Sequence, residues 1–321
     1  MKRNEAKMIE QEYDAMNTDI TFRIYGRSAR RTIKRLKGEV SRIEKKLSRF
    51  VNGSEIDRIN RHSGRGPVKV SRETFQILEF SKRLYEMTRG AFNILMGPLV
   101  DEWGYLHAEE KPDELSIRNK MDLIDGDDLV LNPTEQSAWL RNPGQSIDLG
   151  AIGKGYAGDR CLEMLKRSGI ESAVINLGGN VCVRGKKPDE TAWKVGIRHP
   201  RKENELIGYV EAEDEHVVTS GDYERFFYDK EGIRRHHILN PVTGYPTESG
   251  LISVTVISEN GMAADGLATS LFILGKKNGM RLLSLFPGTE AIMVDERLEV
   301  TVTKGIEKSF IRFDGITMNA I

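Results

Sequence analysis

Asp148-Leu149-Gly150-Ala151-Ile152-Gly153-Lys154-Gly155-Tyr156-Ala157-Gly158-Asp159 is the stretch on which the fold turns. Within it, Gly153-x-Gly155-x-x-Gly158 matches the dinucleotide fingerprint literally. A true match implies a doubly wound parallel sheet with a nucleotide pyrophosphate on the helix N-terminus. That reading also needs a strand before the glycines, a parallel strand after the helix, and an acid about 20 residues on. Ile175 stands near that place, and Asn180 is no ribose acid. A P-loop is excluded because Lys154 is followed by Gly155 rather than by Ser or Thr. Two readings stay open: a turn packed closely on its neighbours, or a backbone that approaches a phosphate with Lys154 beside it.

Outward from that stretch the chain reads as runs of strands broken by a few helices. On the N-terminal side, Ile20, Phe22 and Ile24 share one face of a strand predicted from Thr18 to Tyr25. Ile33, Leu36, Val40, Ile43, Leu47 and Phe50 recur at steps of three and four, the apolar face of a helix. The basic residues between them read as its solvated face, since no aromatics interleave them for base stacking. A second helix is predicted from the cap Ser71 to Gly90, and a third from Lys154 to Ser168. Beyond come strands around Val174, Cys182, Val195 and Tyr209, then a hairpin turning near Gly232. An apolar strand from Leu251 to Ile257, a buried helix from Met262 to Leu274 and a last hairpin from Ala291 to Val302 complete the pattern. This order argues for an α+β fold with mixed, largely antiparallel sheets and packed helices.

Composition narrows the function. The 321 residues carry 48 Lys+Arg against 48 Asp+Glu, so bulk charge does not draw the chain to nucleic acid. No apolar run approaches the roughly 18 residues of a spanning helix. Two cysteines, Cys161 and Cys182, make neither a disulfide framework nor a zinc cage. The start, Met1-Lys2-Arg3-Asn4-Glu5-Ala6-Lys7, is basic but lacks an apolar h-region, which predicts a cytoplasmic protein. The alternative is an exported form whose signal or lipid anchor has been removed.

Three groups of residues carry candidate chemistry. Asn176-Leu177-Gly178-Gly179-Asn180 ends a strand in a tight turn, and it suggests a second loop converging with the first on one ligand. Asp265 and Thr269, four apart in an apolar helix, place two oxygens on one face, suited either to Mg²⁺ or to local capping. His236-His237 lead into Ile238-Leu239-Asn240-Pro241. On a strand only one of the pair enters a given pocket, as a general base or as a structural imidazole. His62, His107, His199 and His216 lie among loops and charges and predict surface positions.

Taken in order, the segments resemble the ApbE family of FAD:protein FMN transferases. The resemblance rests on Met16 with Thr18, Ser48-Arg49-Phe50 with Ser54 and Asn60, and Gly90-Ala91-Phe92-Asn93 with Gly97-Pro98. It continues through Asp148 to Asp159, Asn176 to Gly179 and Thr219-Ser220-Gly221-Asp222-Tyr223. It ends with His237-Ile238, Pro241-x-Thr243-Gly244 and Ala264-Asp265-x-x-x-Thr269. What the resemblance implies is Mg²⁺-dependent transfer of FMN from FAD to a Thr or Ser of a partner flavoprotein, as a phosphoester, with release of AMP. By the family pattern Asp265, Thr269 and the carbonyl of Ala151 hold the metal, and His237 accepts the hydroxyl proton. Met16, Ala91, Phe92, Asn93, Asp148, Lys154 and Ile238 contact FAD. Phe50 stands where its aromatic character favours transfer over plain hydrolysis. Asn17 replaces a usual Gly, Asn180 a common Asp, and Ala268 a further acid found in some relatives. The resemblance implies an N-terminal arm over residues 1–15 and a transferase domain over 16–321, either one unit or two interleaved subdomains. The competing readings are an FAD pyrophosphatase, a non-catalytic FAD-binding protein, and a nicotinamide dehydrogenase built on the glycine fingerprint.

Overall fold

No strand leads directly into the glycine stretch; residues 141–152 are irregular and a helix starts at Gly153. The computed structural model describes residues 7–105 and 110–321. Its N-terminal half runs β1 (Met8–Ala15), β2 (Thr18–Tyr25), α1 (Ala29–Leu47), α2 (Glu55–Arg61), β3 (Val68–Lys69), α3 (Arg72–Met87), α4 (Gly97–Trp103) and α5 (Glu114–Met121). Then follow β4 (Leu129–Asn132), β5 (Ser137–Leu140), α6 (Gly153–Arg167), β6 (Ala173–Leu177), β7 (Asn180–Arg184), β8 (Trp193–Arg198) and β9 (Leu206–Ala212). The rest is β10 (His216–Gly221), β11 (Phe226–Tyr228), β12 (Arg234–His236), β13 (Leu251–Ser258), α7 (Gly261–Leu283), β14 (Glu290–Asp295), β15 (Val300–Val302), β16 (Phe310–Arg312) and β17 (Met318–Ala320).

One nine-stranded sheet, ordered β1-β2-β6-β7-β10-β13-β14-β15-β17, forms the frame. After α6 the chain enters β6, which pairs antiparallel with both β2 and β7. A dinucleotide fold needs a parallel strand there, so the dehydrogenase reading falls. The one parallel pair in this sheet, β15 with β17, lies at its far edge. The α+β expectation with largely antiparallel sheets holds. Smaller sheets β16-β9-β8, β3-β5-β4 and β11-β12 complete the architecture. Among the described residues no helix is long and apolar enough to cross a membrane.

The frame is held from both faces. On one face α1, α6 and α7 pack over Ile20, Phe22, Ile24, Ile175, Val254 and Val256, all fully buried. The α1 stripe Ile33, Leu36, Val40 and Ile43 is also fully buried. Each such side chain contributes about 1.5–3 kcal/mol, which outweighs repulsions of a few tenths between neighbouring lysines and arginines on the outer side. The β8-β9-β16 sheet covers part of the opposite face through Val195, Ile197 and Val210 against Val217, Ile252 and Ile292. Buried from both sides, β13 shows no polar alternation; all eight of its residues are buried.

Several local expectations are corrected. Residues 8–15, read as part of an arm, form the edge strand β1, because Ile9 and Tyr13 pack on the core between exposed acids; residues 1–6 lie outside the described residues. Phe50 is not on the apolar helix face. The helix stops at Ser48, whose backbone turns extended, and Phe50 is 76% exposed. His199 and His216 are buried rather than superficial, whereas His62 is exposed. His107 lies outside the described residues.

The fingerprint glycines are explained by packing. A Cβ at Gly155 would overlap the Gly261 carbonyl and lie 2.7 Å from the Asp265 Cβ. One at Gly261 would lie 2.5 Å from the His216 ring and 2.6 Å from the Gly155 carbonyl. Gly158 faces the same ring at 3.0 Å. Helices α6 and α7 therefore touch backbone to backbone. At Gly153 the nearest atoms are 3.9 and 4.0 Å away, ordinary contact. Gly261→Ala should cost about 1–3 kcal/mol in urea unfolding through overpacking. Gly153→Ala should leave stability unchanged or slightly raised; equal losses in both variants would overturn the close-approach account.

Candidate active site

Two tight hairpins and two helix starts build one end of the frame. The β1–β2 turn is Met16-Asn17, both with positive φ (54° and 57°). A two-residue turn of this kind twists with its strands and favours Asn or Gly, so Asn17 suits its place. The β6–β7 turn is Gly178-Gly179, with φ of 60° and 89°. A side chain at Gly178 would overlap the Thr18 hydroxyl, so the two turns lie against each other. Met16 reaches across, placing its Cε 3.9 Å from where a Gly153 Cβ would be.

At the start of α6, the Gly155 N–H would bond the Ala151 carbonyl in a continuous helix. It donates instead to Asp265 Oδ2 on α7 at 2.8 Å. The bond runs the other way one turn on. Asp159 of α6 accepts from the Gly261 and Met262 N–H groups of α7 at 2.7 and 2.9 Å, and its Oδ1 lies 3.1 Å from His216 Nε2. Asp265 is 4% exposed. Burial raises its pKa, opposed by the Lys154 ammonium and by the Gly155 N–H. Thr269 Oγ1 lies 3.3 Å from the Ser220 hydroxyl. The Ala151 carbonyl, left without the Gly155 N–H, Asp265 and Thr269 one turn apart on α7, and the Ser220 hydroxyl beside Thr269 are all hard oxygens, with one carboxylate among them. No group of three or more His, Cys, Asp or Glu able to hold a metal occurs among the described residues. A buried carboxylate with one amide partner among neutral oxygens fits Mg²⁺, which keeps waters and takes further ligands from phosphate.

The histidine pair divides as strand geometry requires. His236 is buried, accepts the Ile238 N–H at Nδ1 (3.3 Å), and meets the Thr247 carbonyl at Nε2 (3.1 Å). An accepting Nδ1 leaves the proton on Nε2, so the ring is a satisfied neutral imidazole. Burial lowers its pKa. His237 is half-buried and directs Nδ1 at the Arg225 carbonyl, 3.3 Å away. A carbonyl accepts, so Nδ1 carries the proton and the Nε2 lone pair is free. Desolvation lowers the His237 pKa well below the usual value, reinforced by His236, Arg225 and Lys154.

The remaining expected residues take varied positions. Asp148 accepts the Gly150 N–H at 2.7 Å and pairs with Arg49 Nε at 2.9 Å. Lys154 Nζ lies 3.4 Å from the Gly150 carbonyl. The Phe50 ring stands in solvent with the Arg49 guanidinium 4.6 Å from its centroid. Ala91 and Ile238 are buried, and Ile238 has both backbone groups bonded. The Phe92 ring is in the core. Asn93 donates to the Ile124 carbonyl at 2.6 Å and caps the Leu95 N–H at 2.8 Å. The Asn93 side chain thereby ties its loop to the chain near Ile124.

Sequence reasoning assigned no role to Arg49, Arg225, Ser220 or the Asp159–His216 pair. Arg49 is 8% exposed and bridges Asp148 and Asp101. Arg225 donates to the Asn17 carbonyl at 3.3 Å while its own carbonyl accepts from His237. It thereby ties the Met16 turn to the histidine. Arg49 lies inside the Ser48-Arg49-Phe50 segment and Arg225 two residues beyond Tyr223, but neither spacing nor residue type reveals a partner so distant in the chain.

A model of the ApbE family matches residues 16–293. A Klebsiella pneumoniae (strain 342) protein named FAD:protein FMN transferase is 38% identical over 252 residues, 78% of this chain and 78% of its own. One of the same name from Treponema pallidum (strain Nichols) is 33% identical over 276 residues, covering 81% and 76%. The ApbE protein of Thermotoga maritima superposes with a TM-score of 0.86 at 28% identity, over 95% of this chain and 100% of that one. The apo flavinyl transferase ApbE of Pseudomonas stutzeri superposes at 0.83 with 26% identity, over 97% and 99%. The chain belongs to the ApbE family.

Proposed function

We propose that this protein is a flavin transferase, moving FMN from FAD to a Thr or Ser hydroxyl of a partner flavoprotein and releasing AMP. The observation that carries the reading is the setting of His237. Its Nδ1 is committed to Arg225, its Nε2 is free, and it feels Lys154, the same cation that acts on Asp265. An imidazole with a free lone pair, a buried carboxylate and a lysine thus act on one another, and phosphoryl transfer to a hydroxyl uses groups of these kinds as base, metal ligand and counter-charge. The names of the relatives support the same reaction.

In this reading Asp265, Thr269 and the Ala151 carbonyl hold Mg²⁺, which when bound neutralises charge on the pyrophosphate. Lys154, at the start of α6, faces the same anion. The acceptor hydroxyl gives its proton to His237 Nε2 as its oxygen bonds the FMN phosphorus. The bond from that phosphorus to the AMP oxygen breaks, and AMP leaves with the electron pair. Met16 and Phe50 flank the flavin end, and Asp148, braced by Arg49, holds the loop between them and the helix start. Site residues range from Met16 to Thr269, which supports treating 16–321 as one working unit.

His237→Ala should retain FAD binding and lose transfer by about 10²–10⁴-fold, the usual contribution of a general base. The check is a fluorescent protein band after incubation with FAD, Mg²⁺ and acceptor. Asp265→Asn keeps an oxygen for the Gly155 N–H while removing the charge. It should fold normally yet release no AMP, and undiminished AMP release would sink the metal assignment. The pH profile follows from the depressed His237 pKa. A lowered pKa keeps the ring neutral at lower pH, so transfer should stay level as pH falls through about 6.5 and drop only below that. A decline centred on the ordinary histidine value would contradict the assignment.

A further inference from the structure

Ser54 and Asn60 belong to the motif segments, yet the proposed reaction gives neither a task. They stand at the two ends of α2. Ser54 is the N-cap: its hydroxyl accepts the Asp57 N–H at 2.9 Å and donates to the Ser48 carbonyl at 2.7 Å. Asp57 in turn accepts the Gly53 N–H at 2.8 Å. The loop that carries Phe50, residues 48–54, is thereby closed on the helix start. Asn60, in the last turn, pairs with a residue 87 positions on. Its Nδ2 donates to the Ile147 carbonyl at 3.0 Å, and its Oδ1 accepts the Ile147 N–H at 2.7 Å. Residues 141–152 form no ladder and Ile147 is fully buried, so its backbone groups need such a partner. A side-chain amide offers donor and acceptor together, as a neighbouring strand would.

The residue after Ile147 is Asp148. Its N–H donates to the Ile94 carbonyl at 2.7 Å, and its carboxylate meets Arg49, the neighbour of Phe50. The contacts close a ring that runs from Arg49 to Asp148, from Ile147 to Asn60, and from Ser54 back to Ser48. We infer that Asn60 is a positioning residue for the transfer, holding the loop from Asp148 to Ala151 at a fixed offset from Phe50 through the length of α2. The inference rests on the transferase reading above. In that reading the loop carries the Ala151 metal ligand and Phe50 flanks the flavin, so the offset sets where the FMN phosphorus lies. Attack by a hydroxyl fixed on a large partner tolerates little error, and a misplacement of about 1 Å can cost about 100-fold. Water is small and abundant and reaches a displaced phosphorus from more directions. Loosening the offset therefore harms transfer more than hydrolysis.

The test uses a flavoprotein that natively carries FMN on a threonine, expressed without a transferase so that the hydroxyl is free. Labelled acceptor and released AMP are measured in the same reaction. Asn60→Ala should still bind FAD by fluorescence quenching, since the Ile94 and Arg49 contacts of the loop remain. Its transfer rate should fall at least about tenfold, and AMP released per labelled acceptor should rise at least about fivefold. Asn60→Asp keeps an acceptor for the Ile147 N–H but loses the donor, and should shift the ratio in the same direction. Asn142→Ala removes a bond to Asp128 from the other end of the same irregular stretch and should leave the ratio unaltered. An unchanged ratio in the Asn60 variants, including an equal fall in transfer and AMP release, overturns the positioning role alone. An equal rise in the Asn142 variant overturns it as general loosening. Loss of folding in both Asn60 variants assigns the residue to stability and overturns it too. Failure of the unaltered protein to label the acceptor overturns the transferase reading and this inference with it.

Discussion

Two helices exchange backbone amides for carboxylates, and the site depends on that exchange. Gly155 of α6 donates to Asp265 of α7, and Gly261 and Met262 of α7 donate to Asp159 of α6. Each charged bond contributes about 1.5–3 kcal/mol, and its loss would strand a carboxylate that the fold has largely removed from water. The exchange is possible because Gly155 and Gly261 lack side chains where the helices touch. A larger residue at either place would separate the helix starts and move Asp265 away from the loop that carries Ala151 and Lys154.

Much of the architecture was legible because it follows from period and capping. The α1 stripe, the Ser71 cap and the apolar run of β13 each report their own burial. The glycine fingerprint was legible as permission for a close approach but not as to what approaches, since Gly155 meets a residue 110 positions on. His216 misled for a similar reason. It follows Glu213, Asp214 and Glu215 and reads as surface, yet as the first residue of β10 it faces inward onto α6. Phe50 continues the three-four spacing of α1 by accident, because the extended backbone at Ser48 ends the helix before it. Arg225 acts through its carbonyl, a group every residue has, and no pattern of side chains can announce that.

The electrostatics of the site are sparse, in keeping with a chain of zero net charge. Lys154, Arg225, the carboxylates of Asp265 and Asp159 and the His237 imidazole are the chemistry-bearing groups between the two hairpin turns and the start of α7. Around them the polar groups face the backbone rather than each other: Asn93 on Ile124, Asn17 under Arg225, Thr247 on His236. Such contacts position without adding charge. They keep the loops in place while leaving the field to the few ionised groups among them.

The histidine pair also sets a direction for protons. His236 holds its hydrogen on Nε2 and its Nδ1 lone pair is occupied by the Ile238 amide, while His237 holds its hydrogen on Nδ1. The neighbouring rings are therefore opposite tautomers with no shared path. In the reaction proposed above, a proton taken up at His237 Nε2 has no hydrogen-bonded relay inward through its neighbour. It leaves only by the face through which it came, to solvent or to the departing group. If His237 is the base, its pocket is a dead end for protons, open on one side, and each turnover must clear it before the next hydroxyl is activated.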